Sequence, residues 1–198
     1  MLVHLRRSLV MAVICLVFFG FIYAFAGTGV AQLLFKFQAN GSITANGSTL
    51  IGQNWTSPKF FHGRPDDAGP YAANAKTGAS GGDNPLVANG FHGSSGASNL
   101  GPRSALLKSN TEALVAYWHS LGVNPTPDLV TTSGSGYDPD ISPQDALVQI
   151  PMVSKATGLS ATTLTALITR ETHGAQFGFL GASYIDVLQL NEALAKLG

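Results

Sequence analysis

Ser133 and Ser135 stand among glycines in Thr131-Thr132-Ser133-Gly134-Ser135-Gly136-Tyr137-Asp138-Pro139-Asp140-Ile141-Ser142-Pro143, where side-chain type and spacing come nearest to a nucleophile site. A serine raised on a strand-to-helix elbow needs Gly-x-Ser-x-Gly. For Ser135 the first glycine would fall at 133, which is itself serine. Lys76-Thr77-Gly78 matches one element of serine acyl-transfer enzymes, but no Ser-x-x-Lys completes it. His4, His62, His92, His119 and His173 fall at no metal-ligand spacing, and most of them read as surface or capping residues. Asp138 and Asp140 supply too few oxygens to hold Ca²⁺ unaided. No Gly-x-x-x-x-Gly-Lys-Ser/Thr loop is present, so a self-contained P-loop site is excluded. The residues point to no catalytic group and no metal site.

What the 131–143 stretch does carry is turn chemistry. Glycines flanking Ser135 allow positive φ, and Asp138-Pro139 sets a second turn. Ser142-Pro143-Gln144-Asp145 has the form of a capping box that opens a helix. Such a stretch is either a well-made turn or a loop held still for a partner. Arg64, between Gly63 and Pro65, offers two similar readings: a guanidinium set for carboxylate or phosphate, or one that ties two loops together.

Those residues need elements to position them. Ser8 to Phe35 contains no charged side chain, and Arg6-Arg7 precede it. About 20 apolar residues cross a hydrocarbon core, so this reads as one membrane span, residues 1–36 including a short cytoplasmic tail. Ala24-Phe25-Ala26 before Gly27 keeps open a cleaved signal peptide, although the apolar run resumes at Val30 and exceeds the usual length of such a region. In either case the arginine pair stays cytoplasmic and residues 37–198 are exported. Sequons at Asn40, Asn46 and Asn54 add faint support.

Beyond the span, 45% hydrophobic residues allow a real core, while only 11% are charged and the formal net charge is zero. That balance excludes a basic nucleic-acid surface. The lone Cys15 excludes an intrachain disulfide. Apolar periodicity predicts a helix from Pro102-Arg103 to Gly122, one from Ser142 to Gly158 kinked at Pro151, and one capped by Ser160 ending near His173-Gly174. A last helix follows, with Ser183 and Asp186 as its capping box and Leu197 on its apolar stripe. Strand signals are thin: Leu50-Ile51, Asp128 to Thr132 and Phe177 to Leu180. A Gly/Asn-rich stretch at about 70–94 reads as a flexible insertion. The fold class is therefore α+β, a transmembrane helix followed by one mainly helical domain with a small irregular β component.

Five segments taken together, Ser48-Thr49-Leu50-Ile51-Gly52-Gln53, Phe61-His62-Gly63-Arg64-Pro65, Ser95-Gly96-Ala97-Ser98-Asn99-Leu100-Gly101-Pro102, Thr131 to Pro143, and Val187-Leu188-Gln189-Leu190-Asn191, resemble the KdpC family. That family is the single-span accessory subunit of the Kdp potassium-transporting P-type ATPase. The resemblance covers nearly the whole chain in order. The chain departs from the family's usual residues at Tyr137, Asp140, Met152, Thr157 and Asp186. It implies a non-catalytic subunit of a membrane complex whose other members are an ATP-hydrolysing P-type subunit, a channel-like potassium-binding subunit and a small membrane peptide. ATP, Mg²⁺ and K⁺ would act through that complex, with no cofactor of the chain's own. It further implies a catalytic chaperone that raises ATP affinity, with Gln53 touching nucleotide. Leu50, Ile51, Gly52, Phe61, Gly63, Arg64, Pro65, Ser98, Asn99, Leu100, Gly101, Ser133, Gly134, Ser135, Gly136, Asp138, Pro139, Ser142 and Asn191 would form surface loops facing partners. The charge bias sets a bilayer between Gln53 and cytoplasmic ATP, so the nucleotide role and the topology conflict. A different class of reading is an exported, membrane-anchored binding or envelope module, and a third is an exported hydrolase using Ser133 or Ser135.

Overall fold

A computed structural model describes residues 2–53, 55, 57–65 and 97–197 of the chain. The insertion expected at about 70–94, with Lys76-Thr77-Gly78, and the sequon at Asn54 lie outside the described residues. The chain divides into two compact units, 1–43 and 44–198.

In the first unit helix α1 (Leu2–Val17) passes through a π-helical stretch (Phe18–Tyr23) into α2 (Ala24–Leu34). The run of 33 residues is apolar enough to cross a membrane. At 1.5 Å per residue it is about 50 Å long, more than the hydrocarbon core requires. None of its residues is buried, and a helix apolar on every side belongs in lipid or against other helices. A short α3 (Lys36–Ala39) follows, and the side chains of Gln32 and Asn40 exchange hydrogen bonds across the break (3.3 and 3.1 Å).

The second unit is built from α4 (Ala105–Ser120), a 3-10 turn (Pro127–Val130), β1 (Asp140–Ile141), α5 (Pro143–Thr157), α6 (Ala161–Glu171), β2 (Ile185–Asp186) and α7 (Val187–Leu194). Helix α4 starts at Ala105, later than Pro102-Arg103, because the Ser104 hydroxyl accepts the Leu107 amide and fixes the cap there (3.3 Å). It stops at Gly122, whose φ of +77° turns the chain back. Val123 N–H then reaches Trp118 O (3.0 Å) and Gly122 N–H reaches His119 O (3.0 Å), a Schellman closure that buries Val123. The expected capping box of α5 is present in both directions: Asp145 N–H donates to Ser142 Oγ (3.1 Å) and Ser142 N–H to Asp145 Oδ2 (2.8 Å). The helix runs on through Pro151 to left-handed Gly158. Ser160 caps α6 as its position predicted.

The last helix is capped differently from the expectation. Asp186 is the N-cap itself and accepts Gln189 N–H (2.8 Å), so Ser183 plays no part in that cap. Leu197 lies beyond the helix and is exposed. The strand signals also misplaced the β component. Asp128 to Val130 sit in the 3-10 turn, Leu50-Ile51 form a turn, and Phe177 to Leu180 make a hairpin tip with only an isolated bridge. The sheet is instead β1 antiparallel to β2, with Asp140 opposite Asp186 and Ile141 opposite Ile185. Trp118, Phe61, Leu114, Leu129, Val153, Leu164, Ile185 and Leu190 form the centre of one core. Trp118 also donates its indole N–H to Leu129 O (3.0 Å), so burying this large side chain strands no polar group.

Candidate functional site

Two helix side chains, one from a motif segment and one from outside them, meet the buried backbone of Phe61-His62. Asn191, on the inner face of α7, accepts the Phe61 amide at Oδ1 and donates Nδ2 to the Phe61 carbonyl (both 2.8 Å). Gln149, on the inner face of α5, does the same for His62, accepting its amide (2.8 Å) and donating to its carbonyl (3.0 Å). All four residues are fully buried. A carboxamide carries the same donor and acceptor as a peptide group, so each side chain completes one rung of a ladder that no strand supplies. Phe61 and Asn191, expected on surface loops, are therefore core residues, and so is His62.

Arg64 continues the same segment. Its guanidinium donates to Asp138 Oδ2 (3.2 Å) and to the carbonyls of Thr131 and Thr132 (both 3.4 Å), with Asp128 at 4.0 Å. Of its two readings, the structure shows the tie between loops. Within the loop it holds, Gly136 N–H donates to Ser133 Oγ (3.0 Å), Tyr137 N–H to Ser135 Oγ (3.2 Å) and Asp140 N–H to Asp138 Oδ1 (3.1 Å). Ser133 is buried and spent on its own turn. Gly136 takes positive φ; Gly134 does not.

The Leu50–Gln53 segment joins this loop through Gly52 N–H to Tyr137 O (2.9 Å). Leu50 and Ile51 are exposed and Gly52 is buried. Gln53 donates its side-chain amide to Ser48 O (3.1 Å) and Ile51 O (2.9 Å) and fills the space where Gly47, at φ +152°, lacks a Cβ. Both amide hydrogens of Gln53 are committed inside its own loop. Gly63 is half-buried and Pro65 buried. Pro139 accepts Val187 N–H (3.0 Å), and Ser142 caps α5. Ser98 to Gly101 forms a local turn, with Leu100 N–H on Ser98 Oγ (3.3 Å) and Asn99 at φ +54°.

Titratable groups follow the burial. His62 is held below its ordinary pKa because burial penalises the cation, a bond to Ser57 O acting the other way. Asp140 is raised to about 6, first by burial and then by the neighbouring carboxylates of Asp138 and Asp186, with His173 opposing. Asp186 is raised by burial against the hydrogen bonds of its own cap. Glu192 is lowered, because the side chains of Asn46 and Thr44 donate to its carboxylate (2.9 and 2.8 Å) and tie the 44–47 turn to α7. Among the described residues no cluster of three or more His, Cys, Asp or Glu could hold a metal. Gln149 and Glu192 carried no sequence signal, and His62, read among residues of surface or capping type, is instead buried beside Gln149. Their roles depend on partners 87 and 146 residues away.

Residues 5–196 match the family described as KdpC: K⁺-transporting ATPase, c chain. The chain belongs to the KdpC family. It is 42% identical over 207 residues to the potassium-transporting ATPase KdpC subunit of Gemmatimonas aurantiaca, covering all of this chain and 94% of that protein. The corresponding subunit of Methylobacterium nodulans is 42% identical over 204 residues, covering all of this chain and 98% of the other. That of Bacillus cereus is 39% identical over 193 residues, covering 92% and 90%. The match to the KdpC family thus spans both units, the apolar helix and the clamped domain together.

Proposed function

We propose that the chain is a non-catalytic accessory subunit of an ATP-driven potassium-import complex, anchored by its N-terminal helix, with residues 44–198 on the extracytoplasmic side. The observation that carries this is the use made of the motif side chains. Asn191, Ser133 and Gln53 hold main chain, Arg64 holds main chain and Asp138, and Gln149 outside the motifs does the same for His62, so together they build a fixed shape. A rigid body on a membrane anchor suits assembly and stabilisation of larger subunits. In this reading the domain caps the potassium-uptake side of a channel-like subunit, while the helix packs against partner helices beside an ATP-hydrolysing P-type subunit and a small membrane peptide.

In this reading the positive-inside bias keeps Arg6-Arg7 cytoplasmic, and Gln53 lies across the bilayer from ATP. Any increase in the pump subunit's ATP affinity is then transmitted through assembly, and ATP, Mg²⁺ and K⁺ stay with the other subunits. The test is Gln53→Ala in the purified complex, reading complex yield and the apparent KM for ATP. The proposal expects the two to move together or not at all. Full yield with several-fold weaker ATP use would place Gln53 at the nucleotide and overturn the topology.

A further inference from the structure

Between α6 and β2 the chain makes a tight hairpin that buries nothing of its own. Gln176 and Leu180 exchange both backbone hydrogen bonds (2.9 Å each), and Gly178 N–H and Phe179 N–H close the tip on Ala175 O and Gln176 O (3.0 and 3.2 Å). The base is held by a second pair, His173 with Tyr184 (2.8 and 3.0 Å), whose rings stack at 4.9 Å. On this frame Phe177 is 87% exposed, Phe179 77% and Leu180 50%. Phe177 takes φ +53° beside Gly178 at +81°. A bulky aromatic in the left-handed region is disfavoured, and here no core contact of its own ring compensates. Four backbone hydrogen bonds hold the tip with both rings turned outward, and a contact ordered in advance lowers the entropy cost of docking.

We infer that this hairpin is a docking knob that inserts Phe177 and Phe179 into an uncharged apolar pocket on another chain of the potassium-transporting ATPase. Charge selects the partner. From Thr172 to Tyr184 there is no Asp, Glu, Lys or Arg, and the nearest Lys or Arg along the chain, Arg170, is paired with Glu171 at 2.8 Å. Interface centres between proteins are rich in aromatics and poor in charge, which is the composition of this tip. A loop that holds an anionic bilayer brings lysine or arginine to the headgroups, and none is here. The knob rests on the accessory-subunit reading and gives it a specific contact.

The test uses the full-length, C-terminally tagged chain in native-host membranes, with a benzophenone amino acid in place of Phe177. Illumination is expected to join it to another chain of the ATPase, identified by mass spectrometry. In parallel, the double variant Phe177→Ser with Phe179→Ser is expected to retain the wild-type melting temperature and to lose about tenfold or more of the co-purified ATPase chains, the scale of two interface anchors. Adducts confined to lipid or to an unrelated protein, no adduct at all, or wild-type recovery by the double variant would overturn the knob while leaving the subunit reading intact. A wild-type chain that brings down no ATPase chain would overturn both.

Discussion

Replacing Asn191 by alanine deletes the amide that satisfies both backbone groups of Phe61, and neither group has water to turn to, because Phe61 and Asn191 are fully buried. Each orphaned buried group costs about 1–3 kcal/mol, so the pair predicts a loss of about 2–6 kcal/mol before any collapse around the space left behind. Against a domain stability of about 5–15 kcal/mol this is a large fraction. The assay is urea unfolding of the detergent-solubilised full chain followed by the fluorescence of its two tryptophans, Trp55 and buried Trp118, with Cm and m compared to wild type. Asn191→Asp separates the two bonds. It keeps the acceptor for Phe61 N–H but sets an oxygen against Phe61 O, so its deficit should shrink as acid protonates the carboxyl and restores a donor. A loss below about 1 kcal/mol for Asn191→Ala, no more than one ordinary hydrogen bond contributes, would refute the clamp as a main support of the fold.

Two further outcomes follow from the same geometry. Asp140 is pushed up to about 6 in the fold, so the native state holds its proton more tightly than the unfolded chain does. Its contribution is complete below the unfolded value and is lost as pH rises through about 6. Asp140→Asn should therefore flatten the fall in stability between pH 4 and 7, read as urea midpoints at several pH values, and an unchanged profile would remove Asp140 as the cause. Gly47→Ala puts a methyl where the Gln53 amide lies and strains φ +152°, so it should cost about 1–3 kcal/mol by thermal melt. On a Gln53→Ala background the cost should fall, and strict additivity in the double-mutant cycle would show that the two do not compete for that space.

Local chemistry was legible and distant pairing was not. Ser142 with Asp145, Ser160, Gly122 and Gly158 mark helix ends because each works through backbone only a few residues away. The uncharged run from Ser8 to Phe35, which falls almost wholly in the helix Leu2–Leu34, is likewise visible in composition alone. Asp186 misled because Ser183 upstream is an equally good cap, and what decides between them is β2 pairing with β1, two residues long and without alternation to announce it. The clamps at the centre of the candidate site left no trace for the same reason. An asparagine and a glutamine on helices stand in for a strand, with partners 130 and 87 residues away, and neither position breaks the helical pattern around it. Phe61 reads as a surface loop residue because Gly63-Arg64-Pro65 behind it is turn-forming, and Asn191 because it is polar on the last helix, yet both are fully buried and bonded to each other.

The accessory-subunit reading stands most directly on what stays bound to the chain. Tagged at its C-terminus, extracted from native-host membranes in mild detergent and identified by mass spectrometry, the chain should retain Met1 and bring with it an ATP-hydrolysing P-type subunit and a channel-like subunit. A lone chain beginning near Gly27 would contradict that account and mark the domain as a released, independent protein.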